Sequence, residues 1–192
     1  MMTIREQTAD NLAAMVRHLV RATEPDGDQG GLTPLQWSAL QYVGLANGMS
    51  RTVSGFATYN ATSKGTASQV IKSLVDKRLV RRVPSRQDAR SAELVLTSSG
   101  RKRLEAERRN TLATAIQALS DADRERFGTV IATLMNELRA PHGRVQLGSC
   151  HDCRHLDAGG NAPVCCRTGS RLEEPDLLAL CAAHTPIERG GN

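Results

Sequence analysis

Apolar positions along the chain fall into short periodic runs separated by Gly, Pro and polar clusters. Leu12, Met15, Val16, Leu19 and Val20 recur at helical spacing and predict an amphipathic helix over about residues 4–23. Glu24-Pro25-Asp26-Gly27 and Gly30-Gly31 break it. Thr33-Pro34 opens a second helix, with Thr33 as N-cap and Pro34 where its missing N–H costs nothing. Leu35, Leu40, Val43 and Leu45 supply its apolar side, Trp37 packs at the junction, and Asn47-Gly48 ends it. A short helix carrying Val53, Phe56 and Ala57 lies between Ser50 and Tyr59, followed by a turn at Asn60-Ala61. From about residue 62 to 77 a longer helix places Ala67, Val70, Ile71, Leu74 and Val75 on one stripe. Ser63, Lys64, Thr66, Ser68, Gln69 and Lys72 remain mainly on the other side.

The pattern then changes period. Residues 79–83 and 93–97 are short β-type runs around a polar, basic turn at residues 84–90. Ser98 or Ser99 can cap a helix reaching to about Leu119. Ser120-Asp121-Ala122-Asp123 resembles a capping box and opens a last helix with Phe127, Val130, Ile131, Leu134, Met135 and Leu138 on its apolar face. Pro141-His142-Gly143 closes this body. Two helices with a tight turn between them, followed at once by a basic hairpin, predict a winged helix-turn-helix. Its second helix is the one that enters the DNA major groove. The expected fold is mainly α with a small β-wing, over residues 1–142, with a Cys-rich module at 143–192.

Composition supports this reading. Hydrophobic residues make up 40% of the chain but aromatic ones only 3%, so aliphatic side chains must fill the interior, which favours helix packing. The formal net charge of +5 is unevenly spread. Between residues 64 and 103 eleven basic side chains face three acidic ones, a local +8 that leaves −3 elsewhere. The N-terminal MMTIREQTADN lacks the apolar core of a signal peptide, and no segment approaches a membrane span, so a cytoplasmic protein is expected.

The order of elements, and particularly KGTASQVIKSLVDKRLVRRVPSRQDARSAELVLTSSG, resembles the MarR family of winged-helix transcription factors over roughly residues 5–140. Asp88-Ala89-Arg90 stands where that family has D-x-R in the wing, and Leu96-Thr97-Ser98-Ser99-Gly100 matches its L-T-x-x-G ending. The resemblance implies a homodimer interlocked through the N-terminal and last two helices. Its two recognition helices would bind the half-sites of a palindromic operator, most often as a repressor. Arg78 departs from the pattern, because the family usually has Gly there. If that position is left-handed, a non-Gly residue costs roughly 1 kcal/mol.

In this reading Ser63, Lys64, Thr66, Ser68, Gln69 and Lys72 face the groove, with Gln69 able to pair bidentately with adenine. Arg90 enters the minor groove, Asp88 holds Arg90 or the turn, and Arg81, Arg82 and Arg86 contact the backbone. Arg90→Ala is expected to lose most operator affinity, measured by gel shift, while the dimer stays folded. Many family members bind small aromatic acids or phenols between the dimer helices and the reading heads. Arg17 and His18 could line such a pocket or be ordinary surface residues.

The resemblance does not reach the segment from Leu147 onward. All five cysteines lie there: Cys150 and Cys153 in Cys-x2-Cys, the pair Cys165-Cys166, and Cys181 in Cys-x2-His with His184. In a reducing compartment such clustering points to a metal or redox centre rather than structural disulfides. Zinc could use Cys150, Cys153 and Cys181 with His184 or one cysteine of the pair. An iron–sulfur cluster could use Cys150, Cys153, Cys166 and Cys181, with Cys165 as the alternate. The Cys-x2-His hook favours zinc, the central pair favours the cluster, and a metal-free thiol switch is the third option. Residues 154–180, with Gly159-Gly160 and few apolar side chains, would hardly fold without a ligand. A zinc-dependent enzyme with an accessory DNA-binding domain is the weaker alternative, since no Glu stands in a deaminase-like H-x-E beside a Cys pair. A nonspecific DNA binder is the other, disfavoured by the D-x-R wing.

Overall fold

The computed structural model describes residues 8–23, 31–85, 92–107, 112–142 and 147–187. Arg86, Asp88 and Arg90, on which the wing-tip expectations rest, lie outside these residues. The described elements run α1 (Ala9–Thr23), α2 (Pro34–Leu45), α3 (Val53–Tyr59), α4 (Lys64–Asp76), β1 (Val80–Pro84), β2 (Ala92–Leu96), α5 (Ser98–Glu107), α6 (Leu112–Gln117) and α7 (Asp121–His142). The C-terminal module adds β3 (Leu156–Asp157), β4 (Val164–Cys165), β5 (Ser170–Arg171) and α8 (Glu174–Leu178). The fold is mainly helical, with an antiparallel β1–β2 wing and a separate antiparallel sheet in the order β3-β4-β5.

Helix α2 is the centre of the body. Thr33 and Gln36 form a full capping box at its start: the Thr33 hydroxyl accepts from Gln36 N and the Gln36 side chain accepts from Thr33 N. Trp37, Ala39, Leu40, Tyr42 and Val43 are all buried, so α2 is enclosed on several sides rather than along one stripe. Phe56 from α3, Ala67, Val70, Ile71 and Leu74 from α4, and Val80 and Leu94 from the wing complete one core. The ring centroids of Tyr42 and Phe56 are 5.8 Å apart and those of Tyr42 and Tyr59 4.9 Å apart, within the range where aromatic pairs attract. Leu45, expected on the apolar side, is instead exposed, because it sits at the end of α2 beyond this core.

Two close approaches fix how the elements pack. Any side chain at Gly55 would collide with the Ser50 carbonyl and the Tyr42 hydroxyl, so α3 can lie against the turn before it only as glycine. Gly100 does the same for the start of α5, where a Cβ would strike the Leu79 carbonyl. The cap of α5 is Thr97, not Ser98 or Ser99: its hydroxyl accepts from Gly100 N at 3.0 Å and donates to Arg78 O at 2.7 Å. Thr97 prevails because it ends the wing strand, where one hydroxyl can tie β2, the turn after α4 and the first turn of α5. This gives the L-T-x-x-G signature a physical basis. At the start of α7, Ser120 accepts from Asp123 N at 3.2 Å and donates to Asp123 Oδ2 at 2.7 Å, as its sequence suggested.

Helices α1 and α7 carry apolar faces that this chain leaves uncovered. Leu12, Met15, Val16, Leu19 and Val20 on α1 are exposed, as are Val130, Leu134 and Leu138 on α7. Among the described residues no helix is long and apolar enough to cross a membrane.

Candidate nucleic-acid interface and cysteine module

The reading element is built on α3, its turn and α4. The α3 C-terminus passes through Asn60 to Ala61, whose φ of +48° is left-handed, and Thr62 N returns to Ala57 O at 3.0 Å. Ser63 then caps α4, its hydroxyl accepting from Thr66 N at 3.0 Å and lying 2.9 Å from the Thr66 hydroxyl. The buried stripe Ala67, Val70, Ile71 and Leu74 fixes the rotation of α4. With that face against the core, Ser63, Lys64, Thr66, Ser68, Gln69 and Lys72 are all exposed together. The α2 side chain of Gln36 donates to Ser73 Oγ at 2.9 Å, tying α4 to the central helix.

The wing follows without a break. Arg78 is left-handed, with φ +58°, so the non-glycine cost anticipated at this position is incurred. β1 pairs with β2 in the register Val80↔Leu96, Arg82↔Leu94 and Pro84↔Ala92, with Arg81 and Arg82 exposed. Leu94 N also donates to Arg51 O at 2.7 Å, and Arg51 Nη2 lies 3.0 Å from Glu93 Oε1, so β2 is held from the head as well as from β1. The result is an exposed hydroxyl- and amide-bearing helix face with Lys64 and Lys72 at hand and two further guanidinium groups on the adjoining strand. Burial pushes the Tyr59 and Tyr42 hydroxyls up from their ordinary ionisation range, with Cys181 and Tyr59 adding to the effect on Tyr42.

The cysteine module lies against the turn that joins α2 to α3. Asn47 N donates to Leu180 O and Leu180 N to Leu45 O, each at 2.9 Å, an intrachain bridge from module to head. Ala182 N donates to Ser50 Oγ at 3.0 Å, and Gly48 N to Asp176 Oδ1 at 3.1 Å. The Ser50 carbonyl on the same turn accepts from the Tyr42 hydroxyl at 2.5 Å. A short path therefore runs from Ala182 through Ser50 to the middle of α2.

Four of the five cysteines are buried: Cys150, Cys153, Cys165 and Cys181. They line one cavity of about 80 Å³ together with Met49, Leu156, Leu172, His155 and Arg167. Cys150 is pushed up to about 11, first by burial and then by Cys181, Cys153 and Cys165, so the thiols feel one another's charge. Cys166 is exposed, its backbone N donating to His155 O at 2.8 Å. Of the central pair it is thus Cys165, the alternate in the sequence reading, that is buried, as the last residue of β4, while Cys166 falls in the turn that follows.

His184 is buried but does not line the cavity. Its Nε2 lies 3.2 Å from Asp152 Oδ1 and 3.3 Å from Asp152 O, and its ring fills the space beside Gly148, where a Cβ would meet it. Nδ1 of the same ring is buried with no hydrogen-bond partner. Among the described residues no three His, Cys, Asp or Glu side chains form a group that could hold a metal ion. The sequence reading passed over His155, Arg167 and Tyr42; only the cavity and the turn contacts bring them in.

Known proteins agree with this geometry over part of the chain. Residues 30–91 match the family model described as MarR family. No curated protein matches the chain. Among solved structures, a MepR variant from a multidrug-resistant Staphylococcus aureus clinical isolate is similar at 23% identity, covering 70% of this chain and 99% of that one, with a TM-score of 0.50. The S. aureus MepR–DNA complex is similar at 23% identity over 69% of this chain and 99% of that one, with a TM-score of 0.49. A MarR transcriptional regulator from Methanosarcina mazei Go1 is similar at 21% identity over 68% of this chain and 98% of its own, also with a TM-score of 0.49. The head of this chain, from α2 through the wing, has the MarR-type winged helix-turn-helix fold.

Proposed function

We propose that this chain is a sequence-specific DNA-binding transcriptional regulator, acting as a homodimeric repressor on a palindromic operator in the cytoplasm. The observation that carries the reading is the single exposed face made by Ser63, Lys64, Thr66, Ser68, Gln69 and Lys72, flanked by Arg81 and Arg82. Gln69 matches the donor and acceptor pair of adenine in the major groove, and the hydroxyls hold phosphates or bases at the helix start. The basic residues on α4 and β1 supply the sequence-independent attraction. Arg90, with Asp88 holding it or the turn, would extend the contact into the minor groove, and Arg86 would contact the backbone. The uncovered stripes of α1 and α7 support the dimer, since contiguous exposed apolar faces mark association surfaces. A small aromatic effector, with Arg17 and His18 nearby, would act at the junction of those helices with the heads. The Cys module carries one metal centre, zinc or an iron–sulfur cluster, as the second input.

Fluorescence anisotropy with DNA from the gene's own upstream region, run beside scrambled DNA at moderate salt, tests the reading. Preference for the upstream palindrome, with one dimer per site by light scattering, is the expected result. Equal binding to both DNAs would leave only a nonspecific binder.

A further inference from the structure

We propose that Cys150, Cys153, Cys165 and Cys181 hold one iron–sulfur cluster, and that the loaded module braces the α2–α3 turn of the reading head. The ligand set deepens the proposed regulatory reading and rests on it only for the consequence at the DNA.

The donor set comes first. Four thiols, the His155 imidazole and no carboxylate line the cavity, and thiolates are the ligands that iron–sulfur clusters require. All four are buried, whereas Cys166 next to them is exposed and outside. Separation in the chain is also suitable, because Cys150 and Cys153 come from one short turn while Cys165 and Cys181 arrive from β4 and the segment after α8. Each therefore approaches from a different backbone segment or direction.

The shape of the site separates a cluster from a single ion. Zinc needs its ligands to converge on one point about 2.3 Å from each sulfur. Here the four thiols rim a common space of about 80 Å³. A single water occupies roughly 10–15 Å³ on that measure, so the void is several atoms wide. His184, one of the two fourth ligands a zinc site could use, is turned to Asp152 instead.

The surroundings suit a cluster as well. Met49, Leu156 and Leu172 provide an apolar shell, and Arg167 on the rim offers a positive charge to a thiolate-bound cluster of net negative charge. Arg167 is itself held in place by donating from Nη1 to Ala183 O at 3.1 Å. On loading, each Sγ–H releases its proton to solvent and the sulfur lone pair forms a bond to one iron. Equal amounts of ferrous and ferric iron with sulfide, or a preformed cluster whose donor ligands the thiolates displace, supply the cluster with no electron transferred.

Loading would be felt at the head because the ligands flank the docking contacts. Cys181 lies between Leu180, which bridges to Leu45 and Asn47, and Ala182, which bonds Ser50. Fixing Cys181 fixes both.

The full chain, purified without oxygen and supplied with equal ferrous and ferric iron and with sulfide, gives the test. Expected are iron and acid-labile sulfide in equal amounts with visible absorption, retained in Cys166→Ala and lost in Cys165→Ala. Amide exchange at Asn47 and Leu180 should quicken on removal of the cluster while amides of α4 keep their protection. Stoichiometric zinc without visible absorption, no bound metal, or loss of the cluster in Cys166→Ala would each overturn the assignment. If Cys165→Ala does not fold by circular dichroism, Cys165→Ser and the metal content of the wild-type chain still decide it. Metal content is read without DNA, so failure of the cluster leaves the DNA-binding reading standing, and failure to bind DNA leaves the ligand set standing.

Discussion

Around Tyr42, Phe56, Leu40, Ile71 and Leu74 the reading head encloses a core of fully buried aliphatic and aromatic side chains, whereas the module behind it encloses chiefly Cys150, Cys153, Cys165 and Cys181, with Leu172, Ser170 and His184. The head gathers its core from five elements that bury apolar area against one another. The module has two-residue strands, a five-residue helix and an interior made largely of thiols. Burial of apolar area at about 25 cal/mol per Å² stabilises the first kind of interior; the second gains stability chiefly when its sulfurs bind something. The two regions therefore differ in what holds them, and a regulator built this way has one permanent part and one conditional part.

The sharpest way to break this contrast is a pair of core truncations. Phe56→Ala should destabilise the head by about 3–5 kcal/mol in urea unfolding and abolish DNA binding. Leu172→Ala should leave that transition almost in place and raise amide exchange only in the module. Equal losses in the two variants would mean that head and module fold as one unit.

At the DNA face the effects are smaller and of two kinds. Gln69→Ala should cost about 1–3 kcal/mol and relax preference at one base position, read by anisotropy on single-base operator variants. Arg81→Ala should weaken binding to all sequences alike and lower the salt slope by about 1 per half-site. A uniform loss in Gln69→Ala would show that it touches only the backbone.

Arg78→Gly should raise stability by about 0.5–1 kcal/mol, because glycine adopts the left-handed φ without the Cβ penalty. Denaturant midpoints check it, and an unchanged or lower midpoint would mean that the arginine side chain compensates its own strain. The smallest effect is on alkaline titration. The only two tyrosines, Tyr42 and Tyr59, both have folded pKa values raised above 10.0 by burial. The folded state thus holds protons that the unfolded chain has lost, so this contribution is complete below pH 10 and disappears as pH rises through the folded values. Tyrosinate absorbance should appear together with loss of helical circular dichroism; a transition near pH 10 in the folded chain would place a tyrosine outside the core.

Much of the head was legible because its helices are half-buried, and half-burial writes a period into the sequence. The stripe of α4, the Thr33 cap and the paired strands are of this kind. Tyr42 escaped notice for the opposite reason, since α2 is covered on several sides and shows little contrast between faces. Thr97 displaced Ser98 and Ser99 as a cap because only the strand geometry brings its hydroxyl to Gly100 N. Cys165 and Cys166 are the same residue type at adjacent positions, and only the end of β4 between them separates the buried one from the exposed one. The docking of the module on residues 45–50 left almost no trace, because it runs mostly through backbone groups that every sequence possesses.

Whether the α4 face reads sequence decides the function most directly. Titration of wild-type chain and Gln69→Ala against the upstream palindrome and its scrambled counterpart, at the same moderate salt, measures this in one experiment. The wild type should bind the palindrome on the order of 10³-fold more tightly or better, and the variant should lose a large part of that ratio while its binding to scrambled DNA stays the same. A wild-type chain that binds both DNAs equally would contradict the assignment of α4 as a recognition helix.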